Sequence, residues 1–549
     1  MLLAFFFLTQ HAAAQTIGTC APAEAEAYLD AGNVRARIFN NGSLFWSGGH
    51  PVYEVPKGSG HHVIFNTTIW LGGKVGGELR AAAGRYQQRQ YWPGPLDDHG
   101  NPPADCRPFD RIYEITRDDL VAYAETGEPT DNLRDWPWTL GAPVLDGDSI
   151  DGNYDLKAGD RPALMGDQML WWVMNDAGNE HVRPGADTPP IGMEVHASAF
   201  AFNRPTSYIG NITFYRYVLH YKGPTPFEDA YFGLFADPDL GHFADDYIGS
   251  DSTLGLGFVY NGDNFDEPDW GGYAEAPPAL GYTFLRSPTA TDNARDDDHD
   301  GTIDEPGEMR GMTAFMTGDG DGGVVGDPQR AEDFYNYMQA RWKDGRPLTL
   351  GGYGREFSDI PVNFYFPGDP LTGAFWSEFN TDAQGTARRP GNRFFQMATG
   401  PTSMQPGGTQ EILFAIVWAR GADNLDSVRQ LKTDVKRLRE VAERILAPDV
   451  TSGVPEPAPE PTPVLGLAHN YPNPFRETTT IRYSLPQPMY VRLRIYDLLG
   501  RHHATLVEAL QAPGLYEVPF AAEGLPDGVY LYRIELDHLS TTRRMVLMR

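Results

Sequence analysis

The chain has 549 residues, enough for several domains or one large one with a sizeable core, and a formal net charge of −30. So acidic a surface repels phosphate backbones and anionic lipid, which argues against nucleic-acid and peripheral membrane binding. The charge is unevenly spread: residues 465–549 hold 9 Lys/Arg against 8 Asp/Glu, or +1, so the remainder carries −31.

Met1-Leu2-Leu3-Ala4-Phe5-Phe6-Phe7-Leu8 is apolar, and Ala12-Ala13-Ala14 before Gln15 places small residues where a signal peptidase cuts. Residues 1–14 are therefore expected to be a signal peptide, too short for a mature membrane span. A charged start is missing, which leaves room for an origin upstream of Met1. No other run approaches the roughly 20 apolar residues that a spanning helix needs. Cys20 and Cys106 are the only cysteines. In an oxidising compartment they either pair or stay apart, and two cysteines alone do not make a zinc site.

Residues 33–92 read as β-structure broken by glycine turns. Residues 116–123 suit a short helix, with Thr116 and Asp119 spaced to cap its start. The runs 192–202, 212–221 and 231–236 read as central antiparallel strands, and 411–419 as a further buried one. Residues 331–342 look helical. A longer helix is predicted at 424–447, where Leu425, Val428, Leu431, Val435, Leu438, Val441 and Ile445 form one apolar stripe. Residues 448–464 are a proline-rich spacer, from Pro455-Glu456-Pro457 to Pro461-Thr462-Pro463, unable to form ladders. The last segment alternates again at 480–485, 490–496 and 528–534, with Pro513-Gly514 and Pro526-Asp527-Gly528 as turns. The pattern predicts a mainly β protein: a large β-sandwich-type body over 15–447 with a few helices, then a small Ig-like β-sandwich over 465–549.

That final module resembles the C-terminal sorting domain of bacterial type IX secretion. The resemblance rests on Asn470-Tyr471-Pro472-Asn473-Pro474-Phe475, Ile495-Tyr496-Asp497-Leu498-Leu499-Gly500-Arg501, Leu525-Pro526-Asp527-Gly528-Val529-Tyr530 and Arg543-Arg544-Met545-Val546-Leu547, in that order. It implies passage through the periplasm, engagement of the type IX machinery and its sorting peptidase by residues 465–549, and release or fixation at the cell surface. Tyr53-Glu54-Val55-Pro56, Trp92-Pro93-Gly94-Pro95 and Phe366-Pro367-Gly368-Asp369-Pro370 give the body the look of large exported proteins of Bacteroidetes-like bacteria. That likeness adds location and length but no reaction.

Cation chemistry is the clearest local signal. Asp296, Asp298, Asp300, Thr302 through its carbonyl, and Asp304 fall at alternate positions around Gly301, with Glu305 next. Hard Ca²⁺ takes six to eight oxygens, and glycine permits the sharp turn. Gly307 stands where an EF-hand has its closing glutamate, so the loop is closer to thrombospondin type 3 or dockerin calcium loops, with Asp304 or Glu305 closing it. A second cluster, Asp237, Asp239, Asp245, Asp246 and Asp251, follows a strand end and either faces water or shares a cation.

The enzyme motifs His-Glu-x-x-His, a Gly-x-Ser-x-Gly elbow, a phosphate loop and a dinucleotide fingerprint do not occur in the sequence. The expectation is a secreted or cell-surface, calcium-stabilised structural or binding protein, with surface glycan or matrix as the open partner class. A polysaccharide-active hydrolase or a carbohydrate-binding protein is the alternative.

Overall fold

The computed structural model describes residues 17–47, 50–86, 89–147, 152–289, 308–318, 320, 322–445, 466–467, 470, 472–485, 489–497, 501–511, 514–522, 524–536 and 539–548. The expected signal peptide, the calcium loop from Asp296 to Glu305 and the proline-rich spacer lie outside the described residues. The chain divides into two compact units, 1–449 and 450–549.

The body is mainly β, built on two nine-stranded sheets. In the first, strand Phe227–Asp237 pairs antiparallel with Asn66–Val75 on one side and Phe395–Met404 on the other. In the second, Gln168–Asn175, Met193–Ala201, Ile212–Tyr221, Thr409–Ala419, Ala279–Arg286, Leu256–Asn261 and Asp246–Asp251 follow one another in antiparallel register. The two sheets face each other across one core. Tyr53 and Thr213 hydroxyls meet at 2.8 Å, as do those of Thr67 and Tyr282, and the Tyr217 and Phe232 rings lie 6.1 Å apart. Each hydroxyl pair satisfies two polar groups that burial would otherwise strand. Strands such as Gln168–Asn175 are buried on both faces because helices and loops cover the outer surfaces, so their sequence is continuously apolar rather than alternating.

Helix Asn424–Ile445 lays Val428, Leu431, Val435 and Leu438, all fully buried, on the outer face of the second sheet. Gly281 makes room for it: a Cβ there would lie 3.2 Å from the Leu431 methyls. Helix Arg117–Thr126 starts with the expected reciprocal cap between Thr116 and Asp119 and ends at Gly127 in the left-handed region. The helix expected over 331–342 is shorter. It runs Ala331–Met338, with Phe334 edge-on to Trp70, and stops where Ala340 turns to φ 54° and Arg341 bridges to Pro347.

The C-terminal unit is a sandwich of a three-stranded sheet (Gly466–Leu467, Thr478–Leu485, Gly514–Ala521) and a four-stranded one (His502–Gln511, Met489–Asp497, Gly528–Leu536, Leu539–Leu547). Ile481, Val491, Leu493, Ile495, Tyr532, Met545 and Leu547 share its core. The opening tract is pinned at both ends. Buried Asn470 donates its backbone N–H to the Tyr532 hydroxyl at 3.0 Å and its Nδ2 to Thr479 Oγ1 at 2.9 Å, while Phe475 N–H donates to Val546 O at 2.9 Å. The Asn470 amide thus holds the tract to strand Thr478–Leu485, and the Phe475 ring joins the core.

Cys20 and Cys106 are joined by a disulfide, their Cα atoms 5.5 Å apart, and pack against buried Trp92. Trp70, Trp136, Trp171 and Trp172 are buried as well.

Candidate functional site

Strand Phe227–Asp237 leaves its sheet at Pro238, and the chain loops over 238–245 before entering strand Asp246–Asp251. That strand forms a hairpin with Leu256–Asn261, in which Asp246 is paired with Asn261. The acidic run 263–267 therefore returns to the same end of the sheet as 239–246. Two acidic runs separated by about twenty residues become one cluster, as hairpin register requires.

At its centre Asp266, fully buried, accepts from His242 N at 2.9 Å and Tyr273 N at 2.7 Å. Gly241 and Gly272 let the backbone close on this carboxylate, since a Cβ at either would sit 2.2 Å from an Asp266 oxygen. His242 is thereby fixed at its backbone, and its ring stacks on Trp270 with centroids 5.8 Å apart. Its Nδ1 faces Glu267 Oε2 at 3.1 Å and Asp245 Oδ2 at 3.7 Å. Asp246 is fully buried, with Oδ2 accepting from Leu240 N at 3.2 Å and no hydrogen-bond partner for Oδ1 among the described residues. Trp270 is 68 % exposed and marks the open side.

Burial, reinforced by neighbouring carboxylates, pushes Asp239 up to about 7 and Asp246 well above the ordinary range. Asp237 is raised by burial to about 6, although the Tyr86 hydroxyl donates to its Oδ2 at 2.7 Å and Arg85 stands close. Asp237 also lines a cavity of about 530 Å³ walled by Arg85, Tyr86, Asp327, Arg388 and Arg393. There Arg85 pairs with Asp327, while Arg388 and Arg393 hold buried Glu378 at 3.1 and 3.0 Å.

Of the five aspartates expected in one cluster, Asp239, Asp245 and Asp246 come together, Asp237 borders them, and Asp251 does not belong. Asp251 ends a six-residue strand that Asp246 begins, roughly 17 Å away. It meets Lys432 Nζ at 3.2 Å and accepts from Thr253, which satisfies its charge there. The sequence reading missed His242, Asp266, Glu267 and Trp270. Their signal was the second acidic run on the far arm of a short hairpin.

Raised carboxyls make stability pH-dependent. The native state holds protons on Asp237, Asp239 and, on the helix beside Gln430 and Arg437, Asp434 (raised by burial to about 6) at pH values where the unfolded chain has released them. Their stabilising effect is complete below about pH 4 and is lost as pH rises through 6–7. Carboxylates held low, such as Asp105 at about 2 beside Arg107, titrate beneath that window. In chelator-treated protein the unfolding temperature is expected to be higher at pH 5 than at pH 8. A flat or rising profile across that interval contradicts this.

Residues 469–548 match the family model of the secretion system C-terminal sorting domain. No curated protein matches the chain. Among solved structures, a polysaccharide lyase is 8 % identical with a TM-score of 0.19, covering 64 % of this chain and 34 % of its own. Dimeric latent PorU from Porphyromonas gingivalis is 11 % identical with a TM-score of 0.14, covering 74 % and 33 %. The chain spans about a third of the length of either, and at such TM-scores neither likeness bears on the fold. The C-terminal unit is a type IX sorting domain, so the chain carries the address for export to the cell surface or the medium. Among the described residues no helix is long and apolar enough to cross a membrane.

Proposed function

We propose that this protein is a passenger of type IX secretion whose body acts outside the cell as a calcium-stabilised structural or binding component, delivered by signal peptide through the periplasm and freed of its tail by the sorting peptidase. The observation that carries the export reading is the sorting domain at 469–548 with its own closed core. Where a chain lacking that unit accumulates is its test. Calcium is assigned to the oxygen-only loop Asp296, Asp298, Asp300, Thr302, Asp304 and Glu305, on the strength of its ligand spacing. Replacing Asp298 and Asp300 together by Asn is expected to abolish one equivalent of Ca²⁺ uptake in calorimetry of the full chain; unchanged uptake removes the loop from the account. The cavity beside Asp237 is where a polar ligand, a surface glycan or matrix polymer, fits best: two aspartates, three arginines and Tyr86 line it.

A second reading, polysaccharide hydrolysis, is favoured by Asp237, a carboxyl raised to about 6 in a cavity it shares with Asp327. Glycan turnover lost in Asp237→Asn selects the enzyme; glycan retention without turnover selects the binding protein.

A further inference from the structure

We infer that His242, Asp245 and Glu267 form a binding site for one divalent first-row transition cation of the zinc or manganese class, separate from the calcium loop and different from it in metal preference. The ligand atoms of the three side chains all lie within 4.8 Å of one another, the spread that a single ion draws together. The ring nitrogen decides the metal class. Imidazole is a good donor to zinc, manganese and their neighbours, whereas Ca²⁺ seeks six to eight hard oxygens that three side chains cannot supply.

Independent support comes from behind the trio. Asp246 is fully buried, and its Oδ1 has no hydrogen-bond partner among the described residues. The Oδ1 of Asp245 is likewise buried without a partner among the described residues. A cluster holding this many carboxylates in low dielectric needs positive charge, and no lysine or arginine supplies it in the ion pairs of Asp245 or Glu267 among the described residues. The outer supports of a metal site are also present. Asp266 holds the His242 backbone at 2.9 Å, and Trp270 fixes the ring by stacking. Glu267 and Trp270, 49 % and 68 % exposed, leave an entry path and open coordination positions toward solvent.

The test is calorimetric titration of the chelator-stripped full chain with Zn²⁺, Mn²⁺ and Ca²⁺, in wild type, His242→Ala and Glu267→Gln. One equivalent of Zn²⁺ or Mn²⁺ is expected to bind. Both variants should weaken it by more than the roughly 10–100-fold that loss of an outer partner causes, with Ca²⁺ uptake unchanged. Glu267→Gln alters a half-exposed side chain, so it reports on the site even if His242→Ala misfolds. Substituted Co²⁺ should show a visible absorption band that vanishes in either variant. Transition-metal uptake equal in wild type and Glu267→Gln, no uptake at all, or displacement of bound Zn²⁺ by equimolar Ca²⁺ would overturn the assignment.

Discussion

Replacing Cys20 and Cys106 together by serine is expected to cost the body about 4–5 kcal/mol, the loop-closure value for a bridge between residues 86 apart. The bridge ties the first described segment to the body. Gly18 N and Cys20 N donate to the carbonyls of Ala177 and Gly178 at 3.0 and 2.8 Å, and Asn179 Nδ2 donates to Cys20 O at 2.9 Å. Both sulfurs are buried against Trp92, so reduction also opens that small cluster. Denaturant unfolding of wild type with and without reductant, beside the double serine variant, reads the effect. Coincident curves for oxidised and reduced wild type would show that the cross-link contributes nothing.

The second large effect concerns Glu378, which has no solvent exposure and binds two guanidinium groups. Its carboxylate accepts from Arg393 Nε at 3.0 and 3.1 Å, from Arg388 at 3.1 Å and from Ile248 N at 3.0 Å. Burial raises its pKa while the two arginines pull it down, so their charges are what keep a carboxylate in that position. Glu378→Ala leaves both guanidinium groups, 8 % and 12 % exposed, without their shared counter-charge. The expected cost is about 3–5 kcal/mol. Glu378→Gln, which retains an acceptor for Ile248 N, should cost less. Because Arg388 and Arg393 wall the 530 Å³ cavity, the alanine variant should also lose whatever polar ligand wild type binds. Wild-type stability in Glu378→Ala would mean that the buried pair is neutral overall.

The C-terminal sandwich was legible because its cues are local: period-two alternation, Pro-Gly turns and an opening tract whose Asn470 and Phe475 answer to strands some seventy residues on. The helix Asn424–Ile445 was legible for the same reason, an uninterrupted apolar stripe. The body was harder. Strand Phe395–Met404, rich in small and polar residues, takes its place only by pairing with Phe227–Asp237 and Ala314–Met316, which no local pattern reveals. Proximity in sequence also misled. Five aspartates within fifteen residues looked like one site, yet strand Asp246–Asp251 carries the last of them to Lys432, and the hairpin brings in Glu267 instead. Charge composition signals that carboxylates must be neutralised; only tertiary pairing decides which ones share the partner.

That the C-terminal unit is the export address is tested most directly by fractionating a host that has the type IX machinery and expresses either the full chain or a chain ending at residue 449, the boundary between the two units. The full chain is predicted at the cell surface or in the medium, shortened by removal of its tail, and the truncated chain is predicted folded in the periplasm. Equal amounts of both outside the cell would contradict the account.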